Sequence, residues 1–398
     1  MIFLSYWFLA FILVLYPIYW GVRDSRLRLI LLSIACVIFH GHFAGPAGVI
    51  PIVILGVLTY VCGLSGKRSL CIAAIVTCVL ALLFYKYTEF LSIQLIGLIA
   101  PVTAEQLNAS AKTVMPVLPP LGISFFVFEF VHYLVEVYRG HPSIRNPLHF
   151  GLFAIFWPSL VAGPIKRYGQ FIPDLLKGVS CVGSTNVALG LLQVCVGIMK
   201  KTVADDLTIW IEIYEPEFAT MDYLWRWVFF LALAFRILCD FSGYSDMAIG
   251  YARMLGIALP INFNWPYLAR NLADFWNRWH ISLSSWIRDY IYIPLGGNRH
   301  GTVRRVINAA IAFAICGLWH GAEWHFVAWG LMHGTGLAVS QNYRKSFGPP
   351  GRVIAVMFDR VPLLGWGVTF LFVGFGWILF FYPVTTALTM MRLLIWGR

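Results

Sequence analysis

The sequence predicts an all-α polytopic membrane protein of roughly ten to twelve helices, counting re-entrant and interfacial ones that stop short of crossing. Three observations carry this. Of 398 residues, 60% are hydrophobic and 12% charged, with a mean hydropathy of +0.76, too apolar for a water-soluble domain. The apolar runs are continuous over about 17 to 20 residues, where an outer-membrane barrel alternates in segments of about ten. Basic clusters recur at alternate loops, as orientation signals do.

Residues 2–21 form the first expected span. They lack a charged n-region and a small-residue cleavage site, so the span is expected to be retained rather than removed as a signal peptide. Arg23, Arg26 and Arg28 follow it and place that end in the cytoplasm, with the N-terminus outside. Residues 29–43 return, 40–48 form an outer loop, 49–64 lead back to Lys67 and Arg68, and 69–85 cross again to a polar stretch at 103–113. Residues 121–138 then run inward to Arg139 and Arg145, so three basic clusters fall on one side.

Residues 150–162 are too short to span at about 1.5 Å per residue and end in Gly163-Pro164, which points to a re-entrant or half-inserted helix. Segments 187–199, 224–238, 306–318, 326–339 and 366–381 are further buried or spanning helices, with 388–395 as a short last one. No internal repeat or long linker is evident, so residues 1–398 read as one domain, with N-terminal spans to residue 118 and a motif-rich part from 119 onward. Residues 260–300 do not read as a span. Prolines, Gly296-Gly297 and charged residues alternate there with tryptophans, a pattern that survives at membrane depth only if buried in protein or lining a wet cavity.

The eight cysteines are scattered, without a CxxC pair or metal-ligand spacing, which argues against a disulfide framework and a zinc site. The net charge of +11 sits in short clusters beside apolar spans, so the basic residues point to membrane lipid rather than nucleic acid. No GxSxG elbow, P-loop or GxGxxG is present.

His320, in Gly317-Leu318-Trp319-His320-Gly321, is the first candidate for a catalytic base. A group that titrates near neutral pH is costly in such apolar surroundings unless it does chemistry or is fully hydrogen-bonded. Glu323, three residues on, is placed to orient the imidazole, Gly317 and Gly321 permit close backbone approach, and Trp319 and Trp324 to wall a tunnel. His325 and His333 have the wrong spacing for a shared metal and read as structural.

In the run from Asp274 to Ser284, helical spacing sets Asp274 beside Arg278, Asn277 beside His280 and His280 beside Ser284. That run reads equally as an amphipathic interfacial helix with a tryptophan belt. Glu129, His132 and Glu136 share a helix face in the fifth span, where mutual neutralisation is favoured over a proton relay. Ser242 to Asp246 reads as a polar break that kinks a helix beside a cavity.

Five motifs together resemble the membrane-bound O-acyltransferases, most nearly the bacterial branch of alginate O-acetyltransferases and teichoic acid D-alanyl transfer proteins. They are the stretch from Asp240 to Gly250, Asn262-Phe263-Asn264-Trp265-Pro266-Tyr267, the run Asp274 to Ser284, the run Arg288 to Arg299, and Gly317-Leu318-Trp319-His320-Gly321. Leu121-Gly122-Ile123-Ser124-Phe125 and Ala162-Gly163-Pro164-Ile165 fit the same branch. The chain departs from it at Asn277, where arginine is more usual, at Tyr382, and in ending earlier than alginate-type members.

The resemblance implies a ring of helices around a central funnel, with an acyl donor arriving from the cytoplasm and an acceptor from outside. It implies that His320 and His280 are the catalytic pair. Asn264, Asp274, Asn277, Arg278, Ser284, Trp319 and Glu323 are the expected substrate-binding or orienting residues, and no metal is expected. The implied reaction moves an acyl group, foremost acetyl, from acetyl-CoA or an acyl-carrier protein to a hydroxyl on an extracytoplasmic polysaccharide or partner protein, at a bacterial cytoplasmic (inner) membrane. D-Alanyl transfer to teichoic acid is the alternative within the class. A transporter, which should show inverted repeats, and a scaffold subunit are the alternatives outside it.

Overall fold

The computed structural model describes residues 2–115, 119–299 and 301–397. The boundary drawn at residue 118 lies outside the described residues. Among the described residues the regular structure is helical, without a strand. The first half holds α1 (Tyr6–Gly21), α2 (Ser25–Ser65), α3 (Arg68–Leu82), α4 (Pro101–Val114), α5 (Ile123–Tyr138), α6 (Pro147–Ile155), α7 (Tyr168–Ser180) and α8 (Ser184–Tyr214). The second holds α9 (Tyr223–Met254), α10 (Leu272–Arg278), α11 (Ile281–Ile287), α12 (Gly301–His320), α13 (Trp324–Ser346), α14 (Gly348–Arg360), α15 (Pro362–Phe381) and α16 (Val384–Trp396).

Among the described residues, five segments are long and apolar enough to cross a membrane: Ser25–Ser65, Arg68–Tyr87, Ser184–Glu217, Gly301–His320 and Pro362–Phe381. The sixteen described helices exceed the expected roughly ten to twelve. The excess comes from α4, α7, α10, α11 and α14, short and polar or amphipathic helices that read as loop or interfacial sequence.

Three expected features are corrected. The outer loop at 40–48 is helical, and α2 bends at Gly45 (φ 62°, ψ 173°) just before Pro46; glycine supplies the backbone conformation and proline prevents the ladder from closing straight. The polar stretch at 103–113 forms most of α4, with Pro101 at its start. The polar break at Ser242–Asp246 is absent, since α9 runs through it, and small Gly243 lets the carbonyl of Gly197 on α8 come within 2.8 Å of where a Cβ would stand. The short helix expected at 150–162 is α6, shifted to Pro147–Ile155 and ended by the extended Phe156; its 9 residues cover only about 14 Å at the helical rise, too short to span a bilayer core.

Packing divides the chain into two compact units, Met1–Val196 with Asp246–Pro260, and Gly197–Ser245 with Ile261–Arg398. In the first unit, α1 is tied to the C-terminal turn of α9, where helical carbonyls lack backbone partners. Tyr16 Oη donates to the carbonyl of Tyr251 (2.8 Å), Tyr19 Oη to Leu255 (2.9 Å) and Trp20 Nε1 to Met254 (3.0 Å). Each member of the α5 polar trio has a partner from outside it. Lys166 Nζ donates to Glu129 (2.6 Å) and to Ser159 Oγ (2.9 Å), the Tyr168 N–H donates to His132 Nε2 (3.2 Å), and Glu136 meets Arg139 (2.8 Å) and His141 (3.2 Å). The trio is thus neutralised from outside its own helix.

In the second unit the core is the antiparallel pair α12 and α13. Glycine sets its spacing: a Cβ on Gly317 would stand 2.0 Å from the Phe326 carbonyl oxygen, and one on Gly330 would stand 2.1 Å from that of Phe313. Only hydrogen at these positions lets the backbones approach. Buried Arg226, near the start of α9, donates to the carbonyls of Phe218, Ala219, Leu393 and Gly397, closing the C-terminal end of α16.

Candidate active site

The site lies in the second unit, where α10 ends, α11 begins and α12 stops. Asn271 caps α10 by accepting from the Asp274 N–H (2.9 Å), and Asp274 in turn pairs with Arg278 one helical turn on (2.6 Å), as the spacing predicts. The helix then breaks. Two backbone bonds from an extended segment replace its ladder: the Asn264 N–H donates to the Arg278 carbonyl (2.9 Å), and the Ile281 N–H donates to the Asn262 carbonyl (3.0 Å).

Between these two clamps His280 adopts φ 42°, ψ 54°. Among the described residues only Trp265 and His280 have positive φ without being glycine. Such a conformation costs about 1–3 kcal/mol and persists where the surroundings impose it, most often at functional sites.

The His280 side chain is 1% exposed. Its Nδ1 lies 3.2 Å from Oδ1 of Asn262, and the same oxygen accepts from the N–H (3.2 Å) and Oγ (2.9 Å) of Ser282. Asn262 Nδ2 donates to Ser245 Oγ (3.3 Å). The other ring nitrogen of His280, Nε2, is buried and has no hydrogen-bond partner among the described residues. Burial above all, and then the His320 imidazole, hold His280 well below the ordinary imidazole range, so it is neutral.

Phe241 meets the ring edge-on (4.6 Å), and Trp319 stands 6.2 Å away. Trp319 also meets His320 (4.9 Å), so one indole faces both imidazoles. His320 is the last residue of α12 and is half-buried. Trp329 (5.4 Å) and Phe380 (5.0 Å) complete its aromatic surround.

The structure therefore brings His280, Trp319 and His320 together. It gives other expected residues different work. Glu323 is exposed and spends its carboxylate on His325 Nε2 (3.2 Å) rather than on His320; α12 ends at His320, so the helical spacing that sets residues three apart side by side no longer applies. The expected Asn277–His280 side-chain neighbours are likewise undone by the break at Trp279, and His280, left-handed at the N-cap of α11, turns its ring to Asn262 rather than to Ser284. Ser284 Oγ donates to the Trp279 carbonyl (3.1 Å), and Asn264 acts through its backbone, its side chain exposed.

Asn277 and Ser284 instead line a cavity of about 330 Å³, together with Arg288, Asn298, Arg305 and Cys316. Its lining also includes Ile281, next to His280 in sequence, and Cys316, one turn before His320. Among the described residues no group of three or more metal-ligating side chains occurs.

Sequence reading missed Asn262, although it stands two residues before Asn264 in the same motif. Asn262 is buried and Asn264 exposed, a difference set by how the segment packs, which the motif alone does not carry.

The model of the MBOAT, membrane-bound O-acyltransferase family, matches residues 54–385. A probable alginate O-acetylase of Azotobacter vinelandii is 37% identical over 79% of this chain and 60% of its own length. A peptidoglycan O-acetyltransferase of Helicobacter pylori is 35% identical over 79% of this chain and 62% of its own. A teichoic acid D-alanyltransferase of Bacillus subtilis is 29% identical over 65% of this chain and 68% of its own. The chain thus spans about 60% of the length of the first two relatives. The matched stretch contains both histidines, the broken helix between them and the whole of α12 and α13, and on that agreement of sequence and site the chain belongs to the membrane-bound O-acyltransferase family.

Proposed function

We propose that the protein is an O-acyltransferase of a bacterial cytoplasmic (inner) membrane, with its N-terminus outside, that moves an acetyl group from a cytoplasmic thioester to a hydroxyl on an extracytoplasmic polysaccharide or relay protein. The whole chain serves as one functional domain, a ring of helices around a funnel. The observation that carries the reading is that two imidazoles pack against the one indole of Trp319, one buried and neutral, one half-buried.

A thioester is already activated, so the enzyme has to deprotonate the acceptor, hold it against the carbonyl and keep water out. His320 takes the proton of the acceptor hydroxyl as its oxygen attacks the thioester carbonyl. The new ester C–O bond forms, the C–S bond breaks, and the proton passes to the departing thiolate to leave a free thiol. The aromatic surround of Trp319, Trp329 and Phe380 limits the water that would hydrolyse the donor. The cavity lined by Arg288 and Arg305 suits the phosphates of a coenzyme A or phosphopantetheine arm, since guanidinium groups match phosphate geometry.

The test is transfer of labelled acetyl by the purified protein in lipid nanodiscs, from acetyl-CoA and, separately, from a charged acyl-carrier protein. His320→Ala should lower transfer by about 10²–10⁴-fold, the range of a lost general base. Near wild-type transfer by that variant would remove His320 from the mechanism. Transfer of D-alanyl in place of acetyl would reassign the acyl group, and no transfer from either donor would favour a scaffold or transport role.

A further inference from the structure

We infer that Asn262 is a positioning residue that locks His280 in the tautomer protonated at Nδ1, leaving Nε2 as a buried hydrogen-bond acceptor for a hydroxyl of the acyl acceptor. The inference rests on the acyltransfer reading for its last clause only.

The lock follows from three contacts to one atom. The Ser282 backbone N–H can only donate, and it donates to Asn262 Oδ1 (3.2 Å). That fixes which end of the Asn262 amide is oxygen. The amide nitrogen at the other end donates to Ser245 Oγ (3.3 Å), consistent with the same orientation. An amide oxygen is an acceptor, so the His280 Nδ1 facing it at 3.2 Å must carry the proton. A neutral imidazole has one N–H, and the proton on Nδ1 leaves Nε2 with its lone pair.

Nε2 is buried and without a hydrogen-bond partner among the described residues. An unpaired buried acceptor costs about 1–3 kcal/mol, a penalty that a donating ligand would relieve. The left-handed backbone of His280 and the two backbone clamps on either side of it hold the ring in this pose. With its only proton committed to Asn262, His280 cannot donate through Nε2 to an oxyanion developing on the thioester carbonyl. It can accept a hydrogen bond from a hydroxyl instead. A carbohydrate acceptor offers neighbouring hydroxyls, one to be deprotonated by His320 and a second to be held by His280.

Among the described residues the titratable group acting on His280 is His320, on α12. Phe241 on α9, Trp319 on α12 and Asn262 itself supply its other neighbours, none of them charged.

The test is ¹⁵N NMR of the full chain labelled at histidine, in nanodiscs, with the His280 signals identified by their loss in His280→Gln. Wild type should show a protonated Nδ1 and an unprotonated Nε2 at neutral pH. Asn262→Leu removes the acceptor and should populate the Nε2–H form. Asn262→Asp keeps an acceptor, so it should retain the Nδ1–H tautomer and raise the His280 pKa by about one unit or more, the effect of an adjacent carboxylate, read from the pH dependence of the His280 ¹⁵N shifts. A purely structural loss would lower the rate without changing the tautomer or that titration. If Asn262→Leu does not fold, Asn262→Asp carries the test alone. An Nε2–H wild type, an unchanged tautomer in Asn262→Leu, or a His280 titration in Asn262→Asp superimposable on wild type would each overturn the inference. The NMR readout needs no catalysis, so a protein inactive with every donor would refute the acyltransfer reading while leaving the tautomer result intact.

Discussion

The indole of Trp319 packs edge-on against the imidazole of His280, with ring centroids 6.2 Å apart and planes at 61°. The same indole meets His320 at 4.9 Å and 76°. Removing it opens the space beside both histidines to water. Trp319→Ala should cost about 3–5 kcal/mol of stability, as buried tryptophans do. It should also raise thioester hydrolysis relative to transfer, whereas Trp319→Phe should keep the ratio near wild type. Parallel assays of free thiol and acylated acceptor measure the two fluxes; an unchanged ratio in Trp319→Ala would remove the water-excluding role.

Glu323 separates the structural assignment from the one its spacing suggested. Its exposed carboxylate pairs with His325, and exposed pairs contribute about 0–1 kcal/mol. Glu323→Gln should therefore leave transfer within about threefold of wild type. A loss comparable to that of His320→Ala would restore Glu323 as the group orienting the base.

His280 also makes stability depend on pH. Its folded pKa lies below the unfolded value of about 6.5, so below that pH the unfolded chain binds more protons than the folded one. Stability is then fully present above about pH 6.5 and falls as the pH drops toward the folded pKa. Thermal unfolding of wild type between neutral and mildly acidic pH should show this loss, and His280→Gln should show a shallower one. Equal slopes would mean that His280 is protonated in the folded state.

Lys166 and Glu129 form a buried ion pair, 1% and 5% exposed, 2.6 Å apart. Removing one partner strands a charge away from water, so Lys166→Met should destabilise by about 3–5 kcal/mol. The double variant Lys166→Met, Glu129→Leu should recover much of that. Unfolding titrations of the four proteins give the coupling; additive losses would show that the pair is not the source.

Gly330 faces the Phe313 carbonyl across α12 and α13, where an added Cβ would lie 2.1 Å from it. Because backbone is in the way, Gly330→Ala should cost about 1–3 kcal/mol and displace His320, which ends α12. Proteolysis and transfer rate should both report it. A stable, fully active Gly330→Ala would show that the helix pair can widen without moving the site.

The membrane class and most helix positions were legible because lipid requires long continuous apolar runs, and those can be counted along the chain. The motif order was enough to indicate the family. Failures cluster where helical spacing was extended past a helix end. Asn277 with His280 and His320 with Glu323 are neighbours only if α10 and α12 continue, and both stop.

The sequence by itself determined a helical membrane protein, the two histidines and the family they belong to, since composition, period and motif order are properties of the linear chain. Only the tertiary structure decided that Asn262, 18 residues before His280, holds its ring, and that Glu323 serves His325. The physical reason is that α10 ends where the extended segment at 262–264 supplies hydrogen bonds in place of the helical ladder, and which distant backbone arrives there is settled by packing, not by local spacing.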